Sequence, residues 1–373
     1  MKKILVMSAS FKGSLSNVEA TDIIAAAIRE YSPDTEVVKI PVSDGGEGLV
    51  DCFLAFAPGK KVFCRTMGPN HRQVDSFYAL LDSGAAVIEM AASAGLLLAD
   101  DKSDPGFTTT YGVGELILDA IGKGVRKLYL GLGGSATNDA GCGIAKALGI
   151  RFFDRRGIAF LPTGYTLSEI ARIDTLSVPD TVRHTSITCL ADVTNPLYGP
   201  SGAAYTYAPQ KGTPADKLPI LDENLRAYAD LLKATTGIDP DFSGAGAAGG
   251  IPASLKPLFQ AEIRPGIKTI LDLALDPVLL QDCDLIVTGE GKFDSQSVSG
   301  KAISGIVSVA NSHRIPVHAF AGRVDWPQTR PLPEGLETVT EISPRTISPQ
   351  KAMENASTYL YRAAKDFCIA HNR

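Results

Sequence analysis

Lysines, carboxylates, hydroxyls and glycines recur together in five short polar segments of this 373-residue chain. Three of them are Ser10-Phe11-Lys12-Gly13-Ser14, Ser43-Asp44-Gly45-Gly46-Glu47-Gly48 and Gly289-Glu290-Gly291-Lys292-Phe293-Asp294-Ser295-Gln296-Ser297. The other two are Gly133-Gly134-Ser135-Ala136-Thr137-Asn138-Asp139 and Asp192-Val193-Thr194-Asn195. Such a set suits phosphoryl transfer, in which carboxylates hold Mg²⁺ and take the proton of an attacking hydroxyl, while lysine and backbone N–H groups neutralise phosphate charge. Asp192 and Lys12 are the candidate catalytic pair, Asp192 as general base or Mg²⁺ ligand and Lys12 as the neutralising cation. Candidate substrate and phosphate contacts are Ser10, Asp44, Gly45, Gly46, Glu47, Gly133, Gly134, Ser135, Thr137, Asn138, Asn195, Glu290, Lys292 and Gln296. Asp294 joins Asp192 as a candidate metal ligand. Plainer roles stand beside these: Asp44 and Asp139 as helix caps, Glu47 as an acid favoured at a helix start, Lys292 as a solvated loop lysine.

The stretch 127–149 carries the sharpest of these signals. A short apolar run closed by glycine predicts a buried strand, and Ile144, Ala147 and Leu148 fall at helical spacing. A glycine- and hydroxyl-rich turn between strand and helix can aim N–H groups at one anion. Gly131-x-Gly133-x-x-Ala136 also fits a dinucleotide fingerprint, with Asp154 near the expected ribose acid, so an NAD-dependent oxidoreductase is the alternative. Against it, Thr137, Asn138 and Asp139 lengthen the loop before the helix, and Asp139 is the expected N-cap.

The elements that must hold these segments follow from hydrophobic periodicity. Strands are predicted at 4–7 and 36–41, a capping box at Ser16 and Glu19 opens a helix, and another helix covers 49–56. This βαβα opening predicts a parallel sheet. From about residue 61 the rhythm changes to strands at 61–65, 76–81 and 85–90 without long helices between them. A helix at 114–122, strands at 151–154 and 186–190 and a helix at 221–235 follow. The run 243–250 is nearly all glycine and alanine, either a linker or a loop that lets a ligand approach the backbone. After residue 284 the first rhythm returns: a strand at 285–288, the loop 289–297, a helix through Ile303 and Ile306, a strand at 316–320, and a terminal helix from Ser348-Pro349 burying Met353, Ala356, Leu360, Ala363 and Phe367. The expected fold is α/β with two domains: a discontinuous Rossmann-like parallel-sheet domain, 1–62 with 285–373, and an inserted α/β domain, 63–284.

Composition narrows the function classes. Hydrophobic residues make up 45% and charged residues 21%, which is ordinary for a globular enzyme. A net charge of −5 with no basic run argues against a nucleic-acid partner. The six scattered cysteines include no C-x-x-C, so neither a zinc site nor a disulfide framework is indicated. No H-x-x-x-H pair supports a zinc hydrolase, and Ser135 lies outside any G-x-S-x-G elbow. No uncharged apolar stretch reaches membrane-spanning length, and a cytoplasmic protein is expected.

The ordered series of motifs resembles the bacterial type I glycerate kinases. It comprises Ser10–Ser14, Asp44–Gly48, Gly133–Thr137, Asp192-Val193-x-Asn195-Pro196-Leu197, Pro209-Gln210-Lys211-Gly212, Gly246–Gly250 and Thr288-Gly289-Glu290-Gly291-x-x-Asp294-Ser295-Gln296. The likeness runs nearly the whole chain and thins after about residue 325. It implies ATP- and Mg²⁺-dependent phosphorylation of D-glycerate, usually to 2-phosphoglycerate, and two α/β domains. A kinase of another small hydroxy acid is the nearest alternative. The partners expected are glycerate and a nucleotide, with no nucleic acid or membrane, and a second copy of the chain in a homodimer. The chain departs from the family pattern at Ser8-Ala9, where Pro-Asp is common, at Asp139-Ala140-Gly141, and at Val113, where a threonine is frequent.

Overall fold

The computed structural model describes all residues except 101–102, 299–300, 328 and 372–373. The chain divides into two compact α/β units: Met1–Asp44 with Asp51–Ala57 and Gly266–Arg373, and Gly45–Val50 with Pro58–Pro265.

The first unit is built on five parallel strands in the order Leu336–Glu341, Val317–Val324, Leu285–Phe293, Lys3–Ser8 and Glu36–Lys39. The strand Lys3–Ser8, flanked by Leu285–Phe293 and Glu36–Lys39, is buried on both faces, and alternation sorts its side chains between two cores. Ile4 and Val6 pack with Ile24, Ile28, Leu360 and Phe367, from the helices Asn17–Tyr31 and Ala356–His371. Leu5 and Met7 pack on the other face with Ile267, Leu271, Ile303 and Ile306, from Gly266–Ala274 and Ala302–His313. The predicted capping box is present: Glu19 N donates to Ser16 Oγ at 3.2 Å, and Ser16 N to Glu19 Oε2 at 2.8 Å.

Three details of this unit differ from the sequence reading. Residues 266–284 pack here and not in the insertion, because Ile267, Leu271 and Leu280 complete the core around Ile286. The strand expected to stop at residue 288 continues to Phe293, since its neighbour runs to Val324 and the ladder pairs Glu290 with Ala321 and Lys292 with Arg323. Met353 is 44% exposed and lies in a separate short helix, Pro349–Glu354, ahead of the terminal one.

The second unit has a six-stranded mixed sheet in the order Glu262–Arg264, Ser186–Leu190, Lys127–Gly131, Ala85–Glu89, Gln73–Leu81 and Gly59–Met67. The first four strands are parallel, and the last two add an antiparallel hairpin edge. Leu128, Leu130 and Ile187 pack with Val113, Ile117, Ile144 and Tyr228 in one core. A small antiparallel sheet, Ala159–Phe160, Arg151–Phe153 and Arg172–Asp174, sits beside it in the chain. No helix among the described residues is long and apolar enough to cross a membrane.

Candidate active site

In the second unit, the strand Lys127–Gly131 delivers the chain into a turn whose glycines are used for close backbone packing. Gly133 N donates to Gly45 O at 3.0 Å, and Leu132 N to Leu190 O at 3.2 Å. A Cβ on Gly133 would lie 2.4 Å from Gly46 Cα, and one on Gly45 2.8 Å from Leu190 O. The loops at 45–48 and 131–134 therefore pack main chain on main chain at the strand ends. Gly134 differs in being exposed; its φ of +75, like the +87 of Gly45, lies in the left-handed region that favours glycine.

Beyond Gly134 the loop turns inward. Ser135, Thr137, Asn138 and Asp139 are all buried. Asp139 accepts from Thr110 N and Thr110 Oγ1, both at 2.8 Å, and from Gly141 N and Gly143 N, both at 3.1 Å. Complete burial still pushes its carboxyl pKa up against these bonds. The expected N-cap position is corrected: the helix begins at Cys142 with Gly141 before it, because Ala140 and Gly141 both take positive φ. Asp139 bonds the first turn from two residues further back. Thr137 Oγ1 and both polar atoms of the Asn138 amide are buried with no partner. A native loop rarely leaves three such atoms unsatisfied, so they fit a bound polar ligand.

The glycine–alanine run at 243–250 is a buttress and not a linker. Ala140 N donates to Gly249 O at 3.0 Å, and a Cβ on Gly249 would lie 2.1 Å from Thr137 O. At its other end Gly246 N donates to Asn195 O at 3.0 Å, and a Cβ on Gly246 would lie 2.3 Å from Pro196 O. The run thus ties the central loop to the loop that bears Asp192. Asp192 is half-buried, two residues past Ser186–Leu190. The Asn195 amide is already engaged: Nδ2 donates to Ser201 O at 2.8 Å, and Tyr207 Oη donates to Oδ1 at 2.6 Å. Glu47 is exposed.

Lys211, which the sequence presents only as part of a motif, lies against the central loop. It is 7% exposed, and Nζ donates to Ser135 Oγ at 2.7 Å and to Thr137 O at 2.8 Å. Burial draws its pKa down to about 7, with the Asp139 carboxylate pulling the other way. The available signal was the lysine's place in Pro209-Gln210-Lys211-Gly212. Nothing in the local pattern shows that it is buried.

The first unit carries the remaining candidates at the carboxyl ends of its strands. Ser10 and Asp44 are half-buried, and Lys12 is exposed. Burial raises the Glu290 pKa to about 7, and Glu290 Oε1 is buried without a partner. Lys292 Nζ lies 3.3 Å from Asp294 Oδ2 and 3.2 Å from Asp325 Oδ2. Asp294 Oδ1 accepts from Gln296 N at 2.8 Å, and Lys301 Nζ donates to Gln296 Oε1 at 2.7 Å. Lys292 and Asp294 line a cavity of about 660 Å³ with Asp325, Trp326, Arg330 and Arg345. Asp325 and Trp326 were not singled out from the sequence.

No group of three or more His, Cys, Asp or Glu that could hold a metal occurs among the described residues. Single carboxylates in oxygen-rich loops suit Mg²⁺, which is commonly held by one or two carboxylates together with substrate phosphates. The dinucleotide alternative fails locally: ten residues separate Gly131 from the helix at Cys142, and Asp154 is engaged with Arg156 N and Ile158 N in its own turn.

The family model described as "Glycerate kinase family" matches residues 4–371. A glycerate kinase of Bacillus subtilis (strain 168) is 39% identical over 371 residues, which cover 99% of this chain and 97% of that one. A glycerate 2-kinase of Escherichia coli (strain K12) is 36% identical over 367 residues, covering 98% and 96%. A crystal structure of a candidate glycerate kinase 2 from Salmonella typhimurium LT2 superposes with a TM-score of 0.86 at 36% identity, covering 100% of this chain and 98% of that one.

Proposed function

Because the chain belongs to the glycerate kinase family, we propose that it transfers the γ-phosphoryl group of ATP to D-glycerate and yields 2-phosphoglycerate. The three unpartnered polar atoms of Thr137 and Asn138 carry this reading, because a buried loop with unused hydrogen-bonding capacity is prepared for a polar ligand. The name of the 36%-identical Escherichia coli relative supports the 2-hydroxyl as acceptor.

ATP would supply the phosphoryl group, and Mg²⁺ would offset its charge. Lys12, exposed just past the strand Lys3–Ser8, offers a cation to the phosphoryl group or to the glycerate carboxylate. Asp192 accepts the proton of the attacking hydroxyl or holds Mg²⁺. Asp294 is the second metal-side carboxylate. Gly134, Ser135, Thr137 and Asn138 supply donors to an oxyanion, with Gly45, Gly46 and Gly133 holding the loop in shape. Ser10, Asp44, Glu47, Asn195, Glu290, Lys292 and Gln296 complete the proposed set. Of these, Asn195 acts through its backbone and its loop, since its amide is engaged within the protein.

A coupled assay of ADP release tests the proposal. Turnover with D-glycerate, ATP and Mg²⁺, and phosphorus NMR of a 2-phosphoglycerate product, are expected. Turnover only with a different hydroxy acid would replace the substrate, and a 3-phosphoglycerate product would replace the acceptor hydroxyl.

A further inference from the structure

The contact between Lys211 and Ser135 joins residues 76 positions apart, and it constrains where a proton can point. A lysine ammonium has three donors and no acceptor. When Lys211 donates to Ser135 Oγ, that oxygen accepts, and its own hydrogen must turn away from Nζ. No acceptor for the Ser135 hydrogen exists among the described residues. Ser135 is 5% exposed and follows the exposed Gly134. Thr137 Oγ1 and the Asn138 amide, two and three residues on, are likewise unpartnered.

We propose that Lys211 is a positioning residue that aims the Ser135 hydroxyl hydrogen at an oxyanion of the bound substrate, either a carboxylate or a phosphoryl oxygen. This deepens the kinase reading and rests on it. The ammonium also polarises the hydroxyl, which strengthens the bond that the hydroxyl donates. Its second bond, to Thr137 O, holds the loop at its deepest point.

The arrangement depends on the charge of Lys211. As a neutral amine, Nζ carries a lone pair, and the Ser135 hydrogen turns inward to it. The donor facing the substrate is then lost. Burial places this change near pH 7. The charged group facing the ammonium is the buried Asp139 of the central loop, which favours the cation. On the flanking loop Asp104 is engaged with Thr213 Oγ1, at 3.0 Å, and with Tyr165 Oη. A bound oxyanion adds to the pull of Asp139, so ligand affinity falls as pH rises through the lysine's pKa.

The test is titration calorimetry at pH 6 and pH 8.5 with D-glycerate alone, ATP alone and inorganic phosphate alone. The proteins are the wild type, Ser135→Ala, Lys211→Met and the double variant. The ratio of wild-type to Ser135→Ala affinity removes the ligand's own titration. That ratio should be about tenfold or more at pH 6, as for a hydrogen bond to a charged group, and near one at pH 8.5. Glycerate showing this ratio identifies a carboxylate contact; ATP or phosphate showing it identifies a phosphoryl contact. The double variant should bind no more weakly than the weaker single variant. If Lys211→Met does not fold, the Ser135→Ala pH comparison still decides. Equal affinities for wild type and Ser135→Ala with every probe, a ratio unchanged between the two pH values, or no binding of any probe by the wild type would each overturn the inference. Absence of glycerate turnover beside a pH-dependent ratio for ATP or phosphate would remove the kinase reading and leave the lysine–serine device standing.

Discussion

The loop after Lys127–Gly131 and the strand end at 289–297 are made of the same residue types, and the protein treats them in opposite ways. In the second unit the charges are sealed in: Asp139 receives four hydrogen bonds, and Lys211 makes two while 7% exposed. In the first unit Lys292 is roughly half exposed and shares Asp294 and Asp325 as ion-pair partners near solvent. A buried charge loses its hydration and must be compensated by fixed partners, so the loop around it becomes rigid. An exposed charge keeps water as an alternative partner and can be redirected by a ligand at little cost. The glycines follow the same division. A Cβ would lie 2.8 Å from Leu190 O at Gly45 and 2.4 Å from Gly46 Cα at Gly133, but no closer than 3.2 Å to the backbone of Lys12 at Gly291, so main chain packs more tightly in the second unit. One region is a preformed scaffold; in the other, Lys292 and Asp294 form an adjustable rim beside the buried carboxyl of Glu290.

The largest effect should come from opening the sealed region. Asp139→Ala leaves the donors of Thr110, Gly141 and Gly143 buried without an acceptor. A loss of about 3–5 kcal/mol is expected in urea unfolding, with Asp139→Asn losing less because one oxygen remains. A change below about 1 kcal/mol would mean that the loop is not held by this carboxylate.

Asp192 sits between the two extremes, half-buried on a loop braced by Gly246. Asp192→Asn keeps its shape and removes its charge. The expected outcome is an unchanged melting temperature and a kcat lowered by about 10²–10⁴. Restoration by excess Mg²⁺ would assign it to the metal and not to the proton.

Glu290 gives a pH-dependent comparison. Its folded pKa of about 7 lies above its ordinary 4.5, so the native state holds the proton more tightly than the unfolded chain. The stability it contributes is complete below about pH 4.5 and is lost as pH rises to about 7. Glu290→Gln cannot titrate, and its stability should fall less between pH 4.5 and 8, by on the order of 2–3 kcal/mol. Parallel pH profiles for the two proteins would show that the carboxyl is solvated in solution.

The smallest effect is expected at the rim. Lys292→Met breaks two exposed ion pairs and should change stability by less than about 1 kcal/mol. A loss above about 2 kcal/mol would erase the distinction between scaffold and rim.

Much of this fold was legible from local patterns. The capping box at Ser16 and Glu19, the helix Leu49–Phe56 and the strand Ser186–Leu190 lie where periodicity put them, because each depends on neighbours within a few residues. The polar segments were also recognisable as turns, since glycine and hydroxyls make sharp loops wherever they occur. The extension of Leu285–Phe293 was not, because that strand's length is set by a partner about thirty residues away. Nor was the buttressing role of 243–250, whose composition alone reads as flexible.

The amino-acid sequence by itself determined the α/β class, the order of the elements, the turns that carry the polar residues and, through the ordered motifs, the family. Tertiary structure alone decided which of those polar residues are sealed and which stay wet. Lys211 meets Ser135 across 76 positions, and Gly249 closes on Thr137 across 112, so neither contact leaves a trace in local spacing. Whether a lysine is a solvated cation or a buried donor with a pKa near 7 depends on the atoms that exclude water from it, and the folded chain brings those atoms in from far along the sequence.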